Sequence, residues 1–486
     1  MSRQVRVIFG PPGTGKTTRL LLEIQREIES GTPAERVGFV SFSRRAVLEA
    51  ASRVSQAIPG LTPAAFPHFR TIHATAFHLL GLGRGDVMQR EHLSLFGQTI
   101  GERFRSGDHD WLEGSAGDRC LGLHQLAEAR GTSLEHEYRR ANVPEPSWTQ
   151  VRDFSTRYTR YKERHALWDF GDMIAQASGE LPVDVLYIDE AQDTSWSQWR
   201  MLHRIAQNVP RIWLAGDDDQ AIYAWSGADE NYMRTLPAER IILPQSYRLP
   251  VRVKALADRV VRRIRTRVPK SFSSRIDMGE VQWVNDLDHV NLRQPGSWLL
   301  LARSNYQLRV LRSMARAQGV VYTLTNGAWS WTLPAVRAAT VYERLRKGQP
   351  IDREEARLLA AFLPDPPAIP PLDQLTWTDW LADRPSVLNW MDGMTLMSDN
   401  DRSYVRAVRR AGESLSAPGR VRIGTVHSAK GAEADNVLLL TDISQRIEQA
   451  AALQPDAELR VQYVAVTRAR QRLILASPIS RAHWSF

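Results

Sequence analysis

Gly10-Pro11-Pro12-Gly13-Thr14-Gly15-Lys16-Thr17-Thr18 follows a short apolar run and opens an amphipathic pattern, so glycines, a lysine and hydroxyls gather where a strand turns into a helix. Those residue types at that spacing suit a polyphosphate. Glycines let backbone N–H groups approach phosphate oxygens, and a helix N-terminus favours negative charge. Lys16 would neutralise the β- and γ-phosphates and Thr17 would ligate Mg2+, which makes the stretch a P-loop for ATP. A chance glycine-rich turn is the competing reading, and the flanking strand and helix argue against it.

A second run, Val185-Leu186-Tyr187-Ile188, ends in Asp189 and Glu190. Carboxylates at the end of a buried strand sit near the ligand crevice of an α/β sheet. Asp189 would hold Mg2+ through its water shell, and Glu190 would orient and deprotonate an attacking water. Tyr223 and Trp225 alternate along what reads as an extended segment, so both rings would project to one side and stack on successive bases, at ~1–3 kcal/mol each. Phe42, His73 and His427 are further candidates for that contact. His68, His73 and His78 recur every five residues, a spacing that does not align metal ligands on one helix face.

Positioning such groups takes a parallel sheet. Val5–Phe9, Val37–Val40, Val185–Ile188 and Ile212–Ala215 read as strands buried on both faces and alternate with helical patterns. A second series follows at Trp298–Ala302, Val320–Leu324, Val421–Gly424, Val437–Leu440 and Leu473–Ala476. Each series is interrupted, the first by amphipathic helices from about Gly83 to Phe154 and the second by helical patterns from about Leu333 to Pro418. Within the second, the proline-rich run Pro364–Pro371 favours an extended, polyproline-like linker. The fold expected is therefore α/β, two sheets each carrying a mainly helical insertion.

With 486 residues the chain needs two to four domains. One cysteine, Cys120, excludes an internal disulfide framework and a cysteine-rich zinc site; it reads as a small buried hydrophobe. No run has the length of a membrane span, and the first residues leave no room for a signal peptide, so a soluble, cytoplasmic protein without a membrane partner is expected. A net charge of +9 suits a polyanion, although a mildly basic solvated surface would give the same count.

Taken together, these residues resemble the UvrD/Rep/PcrA class of superfamily 1 helicases, and the match runs through both halves in the family's order. Ser41-Phe42-Ser43-Arg44-Arg45-Ala46 resembles motif Ia, Thr71-Ile72-His73 the short motif after it, and Asp169-Phe170-Gly171-Asp172 the D-F-x-D element. Leu214 through Ala228 is similar to motif III and Gln245-Ser246-Tyr247-Arg248 to motif IV. Arg303-Ser304-Asn305 resembles motif IVa, Gly424 through Glu433 motif V, and Tyr463 through Ala469 motif VI.

The resemblance implies two RecA-like domains, the first over 1–82 and 155–243 with insertion 83–154, the second over 244–332 and 419–486 with insertion 333–418. It implies an ATP-dependent, Mg2+-using DNA helicase moving 3′ to 5′ on single-stranded DNA, binding single strands and single/double-strand junctions, as a monomer or weak dimer of bacterial or phage origin with an unidentified loading partner. Gln220 would sense the γ-phosphate, Arg248 and Arg468 would bring positive charge to it from the second half, Tyr247 would stack on adenine and Glu433 would bond the ribose. Thr425 and His427 would join the DNA contacts. The chain departs from the family pattern in four places: only Met1–Phe9 precede the P-loop, Thr18 and Ser226 stand where arginines are usual, and the chain ends soon after Arg468. Translocation is accordingly expected ahead of strand separation, with a strand-tracking motor that does not unwind as the alternative.

Overall fold

The structure is a computed structural model that describes residues 3–104, 111, 114–325, 334–385, 389–413 and 419–486; Leu333 and Pro418, the expected limits of the second insertion, lie outside them. Two compact units emerge, Met1–Arg248 with Ile264–Ser274, and Leu249–Arg263 with Arg275–Phe486.

The first unit holds a six-stranded, all-parallel sheet of β1 (Gln4–Phe9), β2 (Val37–Ser41), β3 (Phe69–Thr71), β4 (Val185–Ile188), β5 (Arg211–Gly216) and β6 (Glu239–Ile242), in the order β3-β2-β4-β5-β1-β6. Its central strands are buried on both faces because alternate residues feed two cores. Val7, Phe9, Leu186, Ile188, Ile212 and Leu214 pack on one side with Met173, Ile174, Trp199 and Leu202. Ile8, Val185, Tyr187, Trp213 and Ala215 pack on the other with Leu20, Ile24, Val47 and Val54. The edge strand β6 is largely exposed.

In the second unit, β7 (Glu280–Val284), β8 (Trp298–Ala302), β9 (Tyr322–Leu324), β12 (Val421–Thr425), β13 (Ala434–Leu440) and β14 (Ala469–Ala476) form another all-parallel sheet ordered β7-β14-β13-β8-β12-β9. A small antiparallel ribbon, β10 (Ile351–Asp352) with β11 (Gln374–Leu375), belongs to its insertion. The nine strands expected from sequence are all present, with ends shifted by up to four residues, the most at β14, which starts at Ala469.

The two insertions are built differently. Helices Arg90–Ile100, Ala116–Arg130 and Trp148–Arg164 close a core of their own, made by Phe96, Cys120, Leu123, Val151, Phe154 and Tyr158. Cys120 is buried there, and burial together with the nearby Glu102 charge pushes its thiol up to about 12, so the residue is an inert hydrophobe. In the second unit, Val336, Tyr342, Trp377, Trp390 and Val405 of the insertion share one continuous core with Trp298, Leu300, Ile423 and Leu438 of the sheet. The proline-rich run is not the polyproline spacer expected. Asp365 adopts a φ of 44°, and the carbonyls of Pro364, Asp365 and Pro367 accept bonds from Arg384 and from Trp380 Nε1, which pins the run to its neighbours.

Arg303 of the motif IVa stretch serves this framework. Its guanidinium forks onto both oxygens of Glu458 at 2.9 and 3.1 Å, and Trp484 Nε1 donates to the same carboxylate at 2.8 Å. Arg303→Met leaves Glu458 buried without its cation and should lower stability by about 3 kcal/mol in urea unfolding. Adding Glu458→Gln should recover most of that loss, and an undiminished deficit in the double variant would contradict a purely structural pair.

Candidate active site

Parallel register decides which loops meet in the first unit. Phe9 pairs with Gly216, Ile188 with Leu214, Val40 with Ile188 and Ser41 with Thr71, so β1, β2, β3, β4 and β5 finish at one edge of the sheet. The candidates of the first half leave from that edge: the P-loop after β1, Phe42 after β2, His73 after β3, Asp189 and Glu190 after β4, and Gln220, Tyr223 and Trp225 after β5.

Gly13 and Gly15 adopt φ of 73° and 81°, the left-handed region that a side chain would strain. A Cβ at Gly13 would also collide with the Arg248 Cβ at 2.3 Å, because residues Ser246–Arg248 lie directly along the loop. Ser246 Oγ donates to the Pro12 carbonyl at 2.7 Å and Tyr247 N to the Gly13 carbonyl at 2.8 Å. Arg248, which the sequence reading draws from the second half, instead belongs to the same unit as the P-loop. The cause is β6, which pairs with β1 and carries the following chain back along the loop. Tyr247 is exposed beside the loop, with its ring open to a flat partner.

Lys16 Nζ donates to the Gly10 carbonyl at 2.8 Å, folding its side chain over the loop. Thr17 Oγ1 donates to Asp189 Oδ2 at 2.8 Å, which brings together a hydroxyl and a carboxylate, the hard oxygen donors that Mg2+ takes. These two residues fit the metal. Burial and the adjacent Glu190 charge push the Asp189 carboxyl up to about 7, against the opposing effect of the Thr17 hydroxyl and Lys16. Glu190 itself sits at φ 53°, ψ 40°, a conformation costing a non-glycine residue roughly 1 kcal/mol or more, and such strain is concentrated at functional positions.

Gln192 was not assigned a role by sequence reasoning, although it lies in the same run. Its Nε2 donates to Glu190 Oε2 at 2.5 Å and to Asp193 Oδ2 at 3.1 Å, while its Oε1 accepts from Asp217 N at 2.9 Å. One amide thus ties the β4 carboxylate to the β5 loop. Gln220 follows, its Nε2 bonded to Asp217 Oδ2 at 2.6 Å. The only signal for Gln192 was its place two residues past Glu190.

The aromatic residues depart from expectation in geometry. Tyr223 and Trp225 do not lie on an extended segment: Ala224–Ser226 is a 3-10 turn, closed by Ser226 N and Oγ on the Tyr223 carbonyl. The turn swings Tyr223 onto Phe42, with centroids 5.7 Å apart and planes at 15°, and leaves Trp225 tilted by 60° against Tyr223. The first insertion props this turn, since Arg130 Nη2 donates to the Ala224 carbonyl at 2.6 Å while Nη1 pairs with Glu137. His73 packs on Phe170, and burial lowers its pKa to about 4, so its ring is neutral near pH 7. The D-F-x-D stretch caps its own helix through Asp169 and binds Lys162 through both carboxylates at 2.6 Å.

In the second unit Thr425 ends β12 and caps the turn that follows it by accepting from Ser428 N, and His427 lies in that turn. Glu433 and Arg468 immediately precede β13 and β14, at the opposite ends of the strands. Glu433 pairs with Arg470 at 3.1 Å. Arg468 is buried, its guanidinium donating to the carbonyls of Val464 and Ala432 and to Thr467 Oγ1. No described helix is long and apolar enough to cross a membrane.

A family model for the UvrD/REP helicase N-terminal domain matches residues 1–239, and one for the UvrD-like helicase C-terminal domain matches residues 407–478. The YjcD protein of Bacillus subtilis is 22% identical over 600 residues, covering 98% of this chain and 77% of its own. The ATP-dependent DNA helicase Rep of Escherichia coli is 25% identical over 385 residues, 70% of this chain, which spans 56% of the length of Rep. The ATP-dependent DNA helicase UvrD2 of Mycobacterium tuberculosis is 24% identical, with coverage of 98% and 77%.

The raised Asp189 carboxyl gives a pH signature. Ionising it in the folded, metal-free protein is costly above about pH 7, whereas near pH 5 it stays protonated. Asp189→Asn should therefore raise the unfolding temperature in EDTA at pH 8 by more than at pH 5. A gain independent of pH in calorimetry would count against a buried, uncompensated carboxylate.

Proposed function

Because this chain belongs to the UvrD/Rep-like superfamily 1 helicases, we propose that it is an ATP-dependent DNA helicase that moves 3′ to 5′ along single-stranded DNA and couples ATP hydrolysis, through two RecA-like domains, to strand movement and duplex unwinding. The observation that carries this reading is the Thr17–Asp189 contact with Glu190, Gln192 and Gln220 alongside it, all delivered to one sheet edge that also bears Phe42, Tyr223 and Trp225.

In this reading the P-loop from Gly10 to Thr18 holds the triphosphate, with Lys16 swinging from the Gly10 carbonyl onto the β- and γ-phosphates. Mg2+ held by Thr17 and Asp189 would neutralise those phosphates. Glu190, fixed by the Gln192 amide, accepts the proton of the water that attacks the γ-phosphorus. Arg248 beside the P-loop and Arg468 of the second domain supply charge to the leaving phosphate. Tyr247 covers the adenine and Glu433 meets the ribose. Loss of the γ-phosphate changes what Gln220 can bond, and Tyr223, three residues further on, passes that change to the stacked bases. Thr425, His427 and His73 complete the single-strand track, His73 through its neutral ring.

The test is ATP turnover with and without single strands, run beside unwinding of duplexes carrying a 3′ or a 5′ tail. Strand-stimulated hydrolysis and opening of the 3′-tailed duplex alone are expected, and Lys16→Ala and Glu190→Gln should abolish both while folding normally. Opening of only the 5′-tailed duplex would reverse the polarity; hydrolysis without opening would leave translocation alone. Trp225→Ala should weaken single-strand binding by about 1–3 kcal/mol in fluorescence titration, and an unaltered affinity would remove it from the track.

A further inference from the structure

Asp217, Asp218 and Asp219 follow one another just past β5, and all three are fully buried. Adjacent buried carboxylates are strongly unfavourable unless cations and hydrogen bonds match them. The match comes from a segment some fifty residues later. Lys270 Nζ lies 3.1 Å from Asp217 Oδ1 and 2.8 Å from Asp219 Oδ2, and bonds Asp218 Oδ1 as well. Arg267 forks onto Asp219 at 2.8 and 2.6 Å, and Val268 N donates to Asp218 Oδ2 at 2.7 Å. The ammonium of Lys270 thus fills the place among these oxygens that a metal ion could otherwise take.

The arrangement reaches the nucleotide loops through Asp217. Burial would drive its carboxyl up, but Lys270 first and Lys16 more distantly hold it below the usual carboxylate range. A carboxylate only accepts, so Asp217 must take the NH2 end of Gln220, which fixes which end of that amide is presented elsewhere. The Asp217 backbone is in turn bonded by Gln192, which also holds Glu190. An unbroken run of hydrogen bonds therefore links Lys270 to both Gln220 and Glu190. The segment that supplies Lys270, Ile264–Ser274, packs in the first unit, while the chain on either side of it belongs to the second.

We propose that Lys270 is a positioning residue for ATP hydrolysis: by keeping Asp217 an acceptor, it sets the amide of Gln220 and steadies the loop that Gln192 ties to Glu190. The proposal rests on the reading of Gln220 as the γ-phosphate sensor. It requires that loss of Lys270 impair turnover and the distinction between ATP and ADP, with ATP affinity largely kept.

Removing Lys270 alone would leave three buried carboxylates with Arg267 on Asp219 and the Val268 N–H on Asp218, so the reference is the full chain carrying Asp218→Asn and Asp219→Asn, which keeps the Lys270–Asp217 pair. This reference should retain strand-stimulated turnover within about threefold. Adding Lys270→Met leaves Asp217 buried without its cation and so should lower the melting temperature, but in the folded protein KM should change little while kcat falls about tenfold or more and the ratio of ADP to ATP dissociation constants, read by displacement of a fluorescent nucleotide, moves toward one. Lys270→Arg in the unaltered chain should keep most of the activity. Unchanged kcat and unchanged discrimination after Lys270→Met would overturn the proposal. Should that variant not fold, Asp217→Asn, which preserves Lys270 with Asp218 and Asp219, reads the same link: lost discrimination supports it and retained discrimination overturns it. A wild-type chain that consumes no ATP with single strands present would instead defeat the helicase reading itself.

Discussion

A hydroxyl at the start of one helix and a carboxylate at the end of a strand 172 residues later stand 2.8 Å apart, and that meeting is the constraint on which the site depends. It requires β1, β5 and β4 to lie side by side, to run the same way and to end in step, because a slip of one residue would turn each strand's side chains to the other face. The doubly packed strands enforce that register, since alternate residues fill two separate cores and cannot exchange them without burying misfits. Hydrophobic periodicity thus acts on chemistry through alignment.

Much of this was readable beforehand where a local rule had one outcome. The P-loop glycines and the apolar strands ending at Asp189 state both the element and the position of its last residue. The edge strands β6 and β7 escaped because exposed edges need no continuous apolar run, and β3 because three residues carry no period. The extended reading of Tyr223 and Trp225 failed for another reason: Ser226 and Gly227 close a turn whose bonds win over alternation. Motif order puts Arg248 with the second half because it does not say where the chain crosses between units, and the crossing comes after Arg248.

Residues that act only through space were the least legible. Gln192 is a neutral amide among acids, and its bond from the Asp217 backbone appears only when β4 and β5 are adjacent. Lys270 sits in a basic stretch that reads as solvated surface, yet its side chain is almost wholly enclosed. Lys162, between Asp169 and Asp172, repeats the theme: in both places a built-in ammonium satisfies clustered carboxylates. Together the two clusters hold five carboxylates against three cations, so the net charge of +9 counted along the sequence understates the positive balance left outside them.

The contrast between the insertions bears on how such a chain could change over evolutionary time. A segment with a self-contained interior, as in helices Arg90–Ile100, Ala116–Arg130 and Trp148–Arg164, can be exchanged for a homologous cassette without reopening the sheet beside it, whereas the later insertion shares its interior with β8 and β12 and must co-vary with them. Such an exchange would still have to refit a seam, since any replacement must present a cation where Arg130 meets the Ala224 carbonyl and keep the close approaches of Gly131 to Trp196 and of Ala129 to Gly227.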